Sequence, residues 1–564
     1  MPQKQSWVFV RNRKKVIIVY SLVLFPLLLF CFCNQGRKSS AYSNADFAQQ
    51  ACRRVLEPVH RGIPGVRPFW NKHSVRFIYA PAFDFAEHPD ATCYRFIICS
   101  KTDSSVAEFK AVQPWMPLTP VWNRLADDSL SLTVEALDAP DGKTIETVGR
   151  RDLIKSTPFA GINNKPAYPY RQSGFRTLKA LLHEEKVQYW LKHGRPDPSY
   201  PLWCHPTKIM SALIIGMIHY AEYFPQAADR DQAVEIAAIV ADFLLSMAQI
   251  PGSPLEYWPP SYWDGVPREN HPYFHGELMT NTPAIAAEML LDFYDFSKND
   301  AYFTAARRIA DTYAKTQEAG GTWPQLVSFE TGEAVKPHKL VPTMVIELYD
   351  RFLEQYLVAD YQDSRQKAFN WIMQNPMQTF NWQAQFEDTR PRSRYKNLSR
   401  EEPSEFARIL LKSNDDHPEY IDMARELIRF AEDQFVVWES TDPVLGYPWF
   451  AEDSKWNGTT RPGGCDWFIP CTMEQYVFYT PIARSSQLMI LTYLKAYKGT
   501  GEAIYHAKAV ALANALTRAQ EYHGGGLIPT HLRKNLPEAN WINNAVYPAI
   551  TLIEQADILS NGPS

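Results

Sequence analysis

"TPAIAAEMLLDFYDFSKNDAYFTAARRIADTYAKTQEAGGTWP", residues 282–324, decides the fold. Thr282 suits a helix cap and Pro283 the first helical turn, where a missing N–H breaks no bond. Ile285, Met289 and Phe293 recur at fours along one helical face, and Gly320 and Gly321 stop the second helix. The stretch predicts a helical hairpin that ends in a Gly-Trp-Pro turn. Its grammar returns at residues 480–529, where Thr480 and Pro481 open a pair that Gly524, Gly525 and Gly526 close. Looser copies run from "HPTKIMSALIIGMIHYAEYF" to "EYWPPSYW", from "VPTMVIELYDRFLEQYL" to "FNWQAQFED", and from "PSEFARILL" to "GYPWFAED". Five repeated pairs predict an α/α toroid of helical hairpins, its inner helices lining a funnel and its outer helices coating it.

The preceding region has a different period. Between residues 45 and 170, "SVRFIYAP", "TCYRFIICS", "SLSLTVEALD" and "TIETVGRRDLI" are short β-rich runs separated by Pro, Asp and Gly turns. They predict a small all-β sandwich, with the proline-rich "PWMPLTPVW" at an edge or crossing. The pattern resembles a fibronectin type III-like accessory module. The expected chain is therefore multidomain, with a β-sandwich at 45–170 and an all-α (α/α) toroid catalytic domain at 171–560. Residues 1–36 hold a basic cluster followed by about 18 apolar residues, the length of a signal peptide or a short membrane anchor. Export follows, to a periplasmic, cell-surface or membrane-anchored place, with lipidation at Cys31 or Cys33 as a variant.

Composition excludes one class of partner. The chain has 58 basic and 62 acidic residues, a formal charge of -4, and no basic stripe of the kind duplex nucleic acid requires. Cys465 and Cys471 are spaced for a short-loop disulfide in an exported protein, or are buried thiols. Cys93 and Cys99 lie about 20 Å apart on a straight strand and cannot pair with each other. No Cys/His spacing suits zinc.

The turns after the outer helices should gather on one rim, and they carry Trp258, Trp263, Trp323, Trp382 and Trp449. Such tryptophans either stack on sugar rings or plug the gap to the next repeat. His275, Glu277, Gln325, His338, Lys339, Gln385, Asp388, Arg392 and Arg394 stand near them. In "FNWQAQFEDTRPRSRY", residues 380–395, Pro391 favours an extended backbone that aims Arg390, Arg392 and Arg394 the same way. The expected occupant is an anionic polysaccharide or oligosaccharide. Trp323, Gln325, Trp382, Gln385, His275, Glu277, His338, Lys339 and Trp449 are the expected substrate contacts. For Arg390 alone, an internal salt bridge to Glu387, Asp388 or Glu401 is favoured.

"GGTWPQ" followed by "NWQAQFEDTRPRSRYKNLSREEPSEFARILL" resembles the pectate lyases of polysaccharide lyase family 10 over roughly residues 280–415. The resemblance implies β-elimination on a uronate polysaccharide. It makes Arg392 or Arg394 the base, with Asp388 in the catalytic set, and implies calcium as the cofactor that helps neutralise the uronate. The chain departs from the family after the Trp-Pro-Gln turn, reading "PHKLVPTMVIEL" where the family has an Asn-Asp-Asp-like segment. A glycoside hydrolase using Glu277 and Asp388, a uronate C5-epimerase and a non-catalytic glycan-binding protein are the alternatives.

Overall fold

The computed structural model describes residues 42–266, 274–413, 416–439, 467–534 and 540–561. The expected leader at 1–36, with Cys31 and Cys33, and the expected contributions of Trp449 and Cys465 lie outside the described residues. Among the described residues, no helix is long and apolar enough to cross a membrane.

Helix α1 (Asn44–Arg54) opens with a capping box in which Ser43 and Asp46 bond each other's backbone. One five-stranded sheet follows, built from β1 (Arg76–Phe77), β2 (Cys93–Ser100), β3 (Val106–Ala111), β4 (Ser129–Leu137) and β5 (Thr144–Lys155), in the order β1-β5-β4-β2-β3. β1 and β5 run parallel and the other pairs antiparallel. Along β2 and β4 the residues Tyr94, Phe96, Ile98, Leu130, Leu132 and Val134 are buried, alternating with more exposed neighbours. The second sheet of the expected sandwich is not formed among the described residues. Phe47 of α1 and the loop residues Trp70, Leu118 and Trp122 share the apolar core with this face instead. Alternation reports that one face is buried, not what buries it. Cys93 and Cys99 sit as separate thiols on β2.

The helical region begins with α2 (Tyr170–Leu182) and α3 (Glu185–His193). Five hairpins then follow. They are α4 (Pro206–Tyr223) with α5 (Arg230–Ser246), α6 (Thr282–Ser297) with α7 (Asp300–Thr316), and α8 (Thr343–Tyr356) with α9 (Gln362–Gln374). After the short α10 (Pro376–Thr379) come α11 (Glu401–Lys412) with α12 (Glu419–Phe435), and α13 (Ala483–Thr500) with α14 (Ala503–Tyr522). The chain finishes with α15 (Ile542–Glu554) and α16 (Ala556–Asn561). α4 packs on α6, α6 on α8, α8 on α11, α11 on α13, α13 on α15, and α15 returns to α4. This is a closed ring of inner helices, each backed by the second helix of its hairpin. The backing helix of α15 is α2, so a sixth pair joins the two ends of the helical region. Gly174 permits that pairing, since a Cβ there would lie 2.4 Å from the carbonyl oxygen of Ala549.

Local sequence explains the hairpins. In the deciding stretch the cap is Asn281, one residue before Thr282, which donates its hydroxyl to the carbonyl of Met279 at 2.8 Å. Lys298, at φ 57°, ends α6, and the Asn299 side chain accepts the N–H of Ala301 to start α7. Gly321 has φ 92°, and a Cβ there would stand 2.4 Å from the carbonyl of Lys367, so only glycine fits this turn. The sheet is fastened to the outer wall of the ring. Arg76 of β1 donates to the carbonyls of Asp433 and Val436 at 2.6 Å each, and the Asp433 carboxylate accepts the N–H groups of Ile78 and Tyr79 at 2.6 and 2.8 Å.

Candidate active site

All the inner helices start at the same rim, where the loops that follow the outer helices also arrive. Lys208 stands in the first turn of α4, behind Pro206. Tyr262 comes from the loop after α5, Glu387 and Asp388 from the loop before α11, Arg400 from the residue that begins α11, Glu474 from the segment before α13, and Trp541 from the residue that begins α15. These side chains meet.

Lys208 pairs with Glu387 at 2.5 Å, and Tyr262 donates its hydroxyl to the Glu387 carbonyl at 2.7 Å. The Lys208 ammonium lies 5.1 Å from the centroid of the Trp541 ring, which is parallel to His205. Arg400 donates to the carbonyl of Glu474 at 3.0 Å and to the Glu401 carboxylate at 3.3 Å, lying over the ring of Phe386.

The carboxyls diverge in acidity. Burial would raise Glu387, but Lys208, bonded to it, outweighs that and holds it well below the usual carboxylate range. Burial raises Glu474, and the negative Asp388 raises it further, against the pull of Arg400 and Lys208. Glu474 therefore keeps its proton near neutrality while Glu387 has lost its own. Lys208, Asp388, Glu474 and Trp541 all retain some accessible surface.

Below the rim the inner helices carry further charge at helical spacing. Tyr547 of α15 feels Arg484 of α13, Asp292 of α6, Lys208 of α4 and Glu401 of α11, so these side chains share the centre of the ring. Arg408 approaches Glu347 at 3.6 Å, and Arg351 reaches Glu288, Asp292 and Asp295 at 2.7, 2.8 and 3.1 Å. Burial pushes Glu288 up to about 7 and Glu405 up to about 8.

Of the sequence-predicted residues, Asp388 joins this cluster, coupled to Lys208 and Glu474. Trp323 and Trp382 are 1% and 0% exposed, and Trp258 is equally buried; they plug the gaps between hairpins and offer no face to a sugar. Gln325 is buried and donates to the carbonyl of Ala384 at 3.2 Å, while Gln385 bonds both the N–H and the carbonyl of Val341. Arg390 is ion-paired with Glu277, next to the strand pair Glu277–Met279 and Leu326–Ser328. An internal salt bridge was expected for Arg390, though to a different carboxylate. His338 bonds the carbonyl of Arg392, Lys339 pairs with Glu318 on the surface, and His275 is exposed 3.8 Å from Asp264. Arg394 is exposed over the ring of Tyr395. Among the described residues, no group of three or more metal-ligating side chains is assembled for calcium.

Sequence reasoning missed Lys208, Glu474, Arg484, Tyr262 and Trp541. A signal for part of this set was present. α4, α6 and α13 are buried almost all round, and a lone charged line on such a helix, such as Lys208 with His219 or Glu288 with Asp292, marks the side that faces the funnel.

No protein-family model matches the chain, and no curated protein does, so the expected likeness to the pectate lyases has no support from a family match. Solved structures similar to it include a family 76 glycoside hydrolase from a bovine Bacteroides thetaiotaomicron strain, at 10% identity and TM-score 0.44 over 86% of this chain and 96% of that one. A cellobiose 2-epimerase from Spirochaeta thermophila matches at 12% identity and TM-score 0.46, over 69% of this chain and 98% of its own. A polysaccharide lyase matches at 10% and 0.41, over 86% and 62%. Figures this low decide neither fold nor chemistry, and both rest on the helix ring and the side chains inside it.

Proposed function

We propose that the protein is an enzyme that cleaves a glycosidic bond of a glycan held in the funnel mouth, with Glu474 as proton donor and Asp388 as the second carboxyl, serving as base or nucleophile. One observation supports this above others: two neighbouring carboxyls, Glu474 and Glu387, are pushed in opposite directions by their surroundings. Glycoside hydrolysis needs one carboxyl that keeps its proton and one that has lost it. Glu387, locked to Lys208 and 6% exposed at its side chain, fixes the local field, and Asp388 is the more accessible carboxyl of the loop. Trp541 and Tyr262 supply aromatic faces at the same mouth. The basic and apolar N-terminal segment supports export.

β-Elimination on a uronate is the second reading, and Arg484 in the funnel favours it, since elimination requires a cation at the substrate's carboxylate. In that reading Arg392 and Arg394, farther along the loop that carries Asp388, meet neighbouring uronates of the chain.

The test is incubation with polygalacturonate, alginate, glucuronate-containing glycans and neutral mannans, reading both reducing ends and the ultraviolet absorbance of an unsaturated uronate. Hydrolysis gives new ends without absorbance; elimination gives both. Glu474→Gln is expected to lose about 100-fold or more in kcat. Because the acid acts while protonated, kcat of the parent falls as pH rises through the raised pKa of Glu474. A Glu474→Gln enzyme as active as its parent removes Glu474 from the mechanism.

A further inference from the structure

Most cations of the upper funnel already have carboxylate partners. Lys208 is paired with Glu387, Arg400 with Glu401 and Arg408 with Glu347. Arg484 differs. Among the described residues its guanidinium has no carboxylate within ion-pair distance, and its one hydrogen bond runs from Nη1 to Oε1 of Gln487 at 2.7 Å. A guanidinium carries five N–H donors, so most of its capacity is unused.

The group is nevertheless held in place. Its guanidinium carbon lies 4.0 Å from the centroid of the Tyr547 ring. Gln487, buried at 2% exposure, donates its Nε2 to Oγ1 of Thr551 at 2.8 Å, which ties the acceptor that orients Arg484 to α15. Arg484 keeps part of its surface accessible between the buried Ala483 and Ser485. Burial lowers its pKa, with Tyr547, Glu401 and Glu405 only partly compensating, so an arriving anion is favoured there. Tyr547 and Glu474 both feel the charge of Lys208, so Arg484 stands on the same side of the ring as the proposed proton donor.

We propose that Arg484, stacked on Tyr547 and tethered through Gln487 to Thr551, is the receptor for a carboxylate of the substrate, which makes the occupant of the funnel a uronate-containing glycan. A planar fork of donors fixed on an aromatic face matches the two oxygens of a carboxylate. The proposal rests on the reading of the funnel as a glycan site.

Calorimetric titration of the full chain with oligosaccharides of galacturonate, mannuronate and glucuronate, with their neutral counterparts and with a sulfated neutral oligosaccharide, tests it. At least one uronate series is expected to bind about 10- to 100-fold more tightly than its neutral counterpart. Arg484→Gln should bring that ratio close to one, and Arg484→Lys should restore part of it, with unchanged circular dichroism in both. Retention of the full preference in Arg484→Gln overturns the assignment. Equal binding of neutral and uronate sugars by the parent overturns it while the glycan reading stands, as does a preference for the sulfated sugar over every uronate. Binding of none of them overturns both.

Discussion

Asp433, at the seam between sheet and ring, sets a measurable pH dependence of stability. Its carboxyl is 1% exposed, and one oxygen accepts the N–H groups of Ile78 and Tyr79 while the other accepts Nε2 of Gln434 at 2.7 Å. Burial still prevails over these donors and over Arg76, pushing its pKa up to about 6 from an ordinary 3.8. The folded protein thus holds this proton more tightly than the unfolded chain does. At 1.36 kcal/mol per pH unit, the difference amounts to about 3 kcal/mol. That stability is fully present below about pH 4, declines as pH rises through about 6, and is gone above it. Asp433→Asn keeps the oxygen that accepts both backbone N–H groups but never charges. It should abolish this component of the slope between pH 4 and 7.5, and at pH 7.5 the variant should be as stable as the parent or slightly more so, because the amide that replaces the second oxygen opposes Gln434 at a cost of about 1–2 kcal/mol. Asp433→Ala leaves two backbone N–H groups buried without acceptors and should lose about 2–6 kcal/mol at every pH. Urea unfolding followed by tryptophan fluorescence at several pH values reads all three proteins. A parent and an Asp433→Asn variant with the same pH slope would refute the reasoning.

Two further outcomes follow from the core. Lys508 and Glu432, each 3% exposed at the side chain, pair at 2.6 Å beside Trp438 and Tyr493; Lys508→Met should cost about 3–5 kcal/mol in urea unfolding, and the added change Glu432→Gln should recover much of it. Trp382→Ala should cost about 3–5 kcal/mol through the cavity it leaves, yet leave oligosaccharide affinity in calorimetry within about twofold, since the ring has no accessible face.

The hairpins were legible because each announces itself locally, with Thr-Pro openings, apolar residues at fours and Gly-rich stops. The sixth pair was not, because α2 and α15 are distant in sequence and nothing local in either names its partner. The single sheet was mistaken for a sandwich for a related reason: β2 and β4 alternate as they would against any apolar layer, and here α1, Trp70, Leu118 and Trp122 share the core with them. At the site, tryptophan at a hairpin end has two uses with one sequence signature, and Trp258, Trp323 and Trp382 serve packing. Asp388 stood out in the sequence through its loop, and the structure brings it near Lys208 and Glu474. Lys208, Glu474 and Arg484 come from separate hairpins and become neighbours only when the ring closes.

The pairing of α2 with α15 also governs when the protein becomes whole. On the ribosome, α2 and α4 emerge long before their partner α15, whose buried residues include Ile542, Val546, Ile550 and Leu552. Until that helix leaves the exit tunnel the ring stays open, and nascent chains carry an adhesive seam that neighbouring chains can occupy. A stop codon shortly before Ile542 would therefore leave a chain committed to aggregation, with Glu474 and Asp388 still encoded and no closed ring to bring them together.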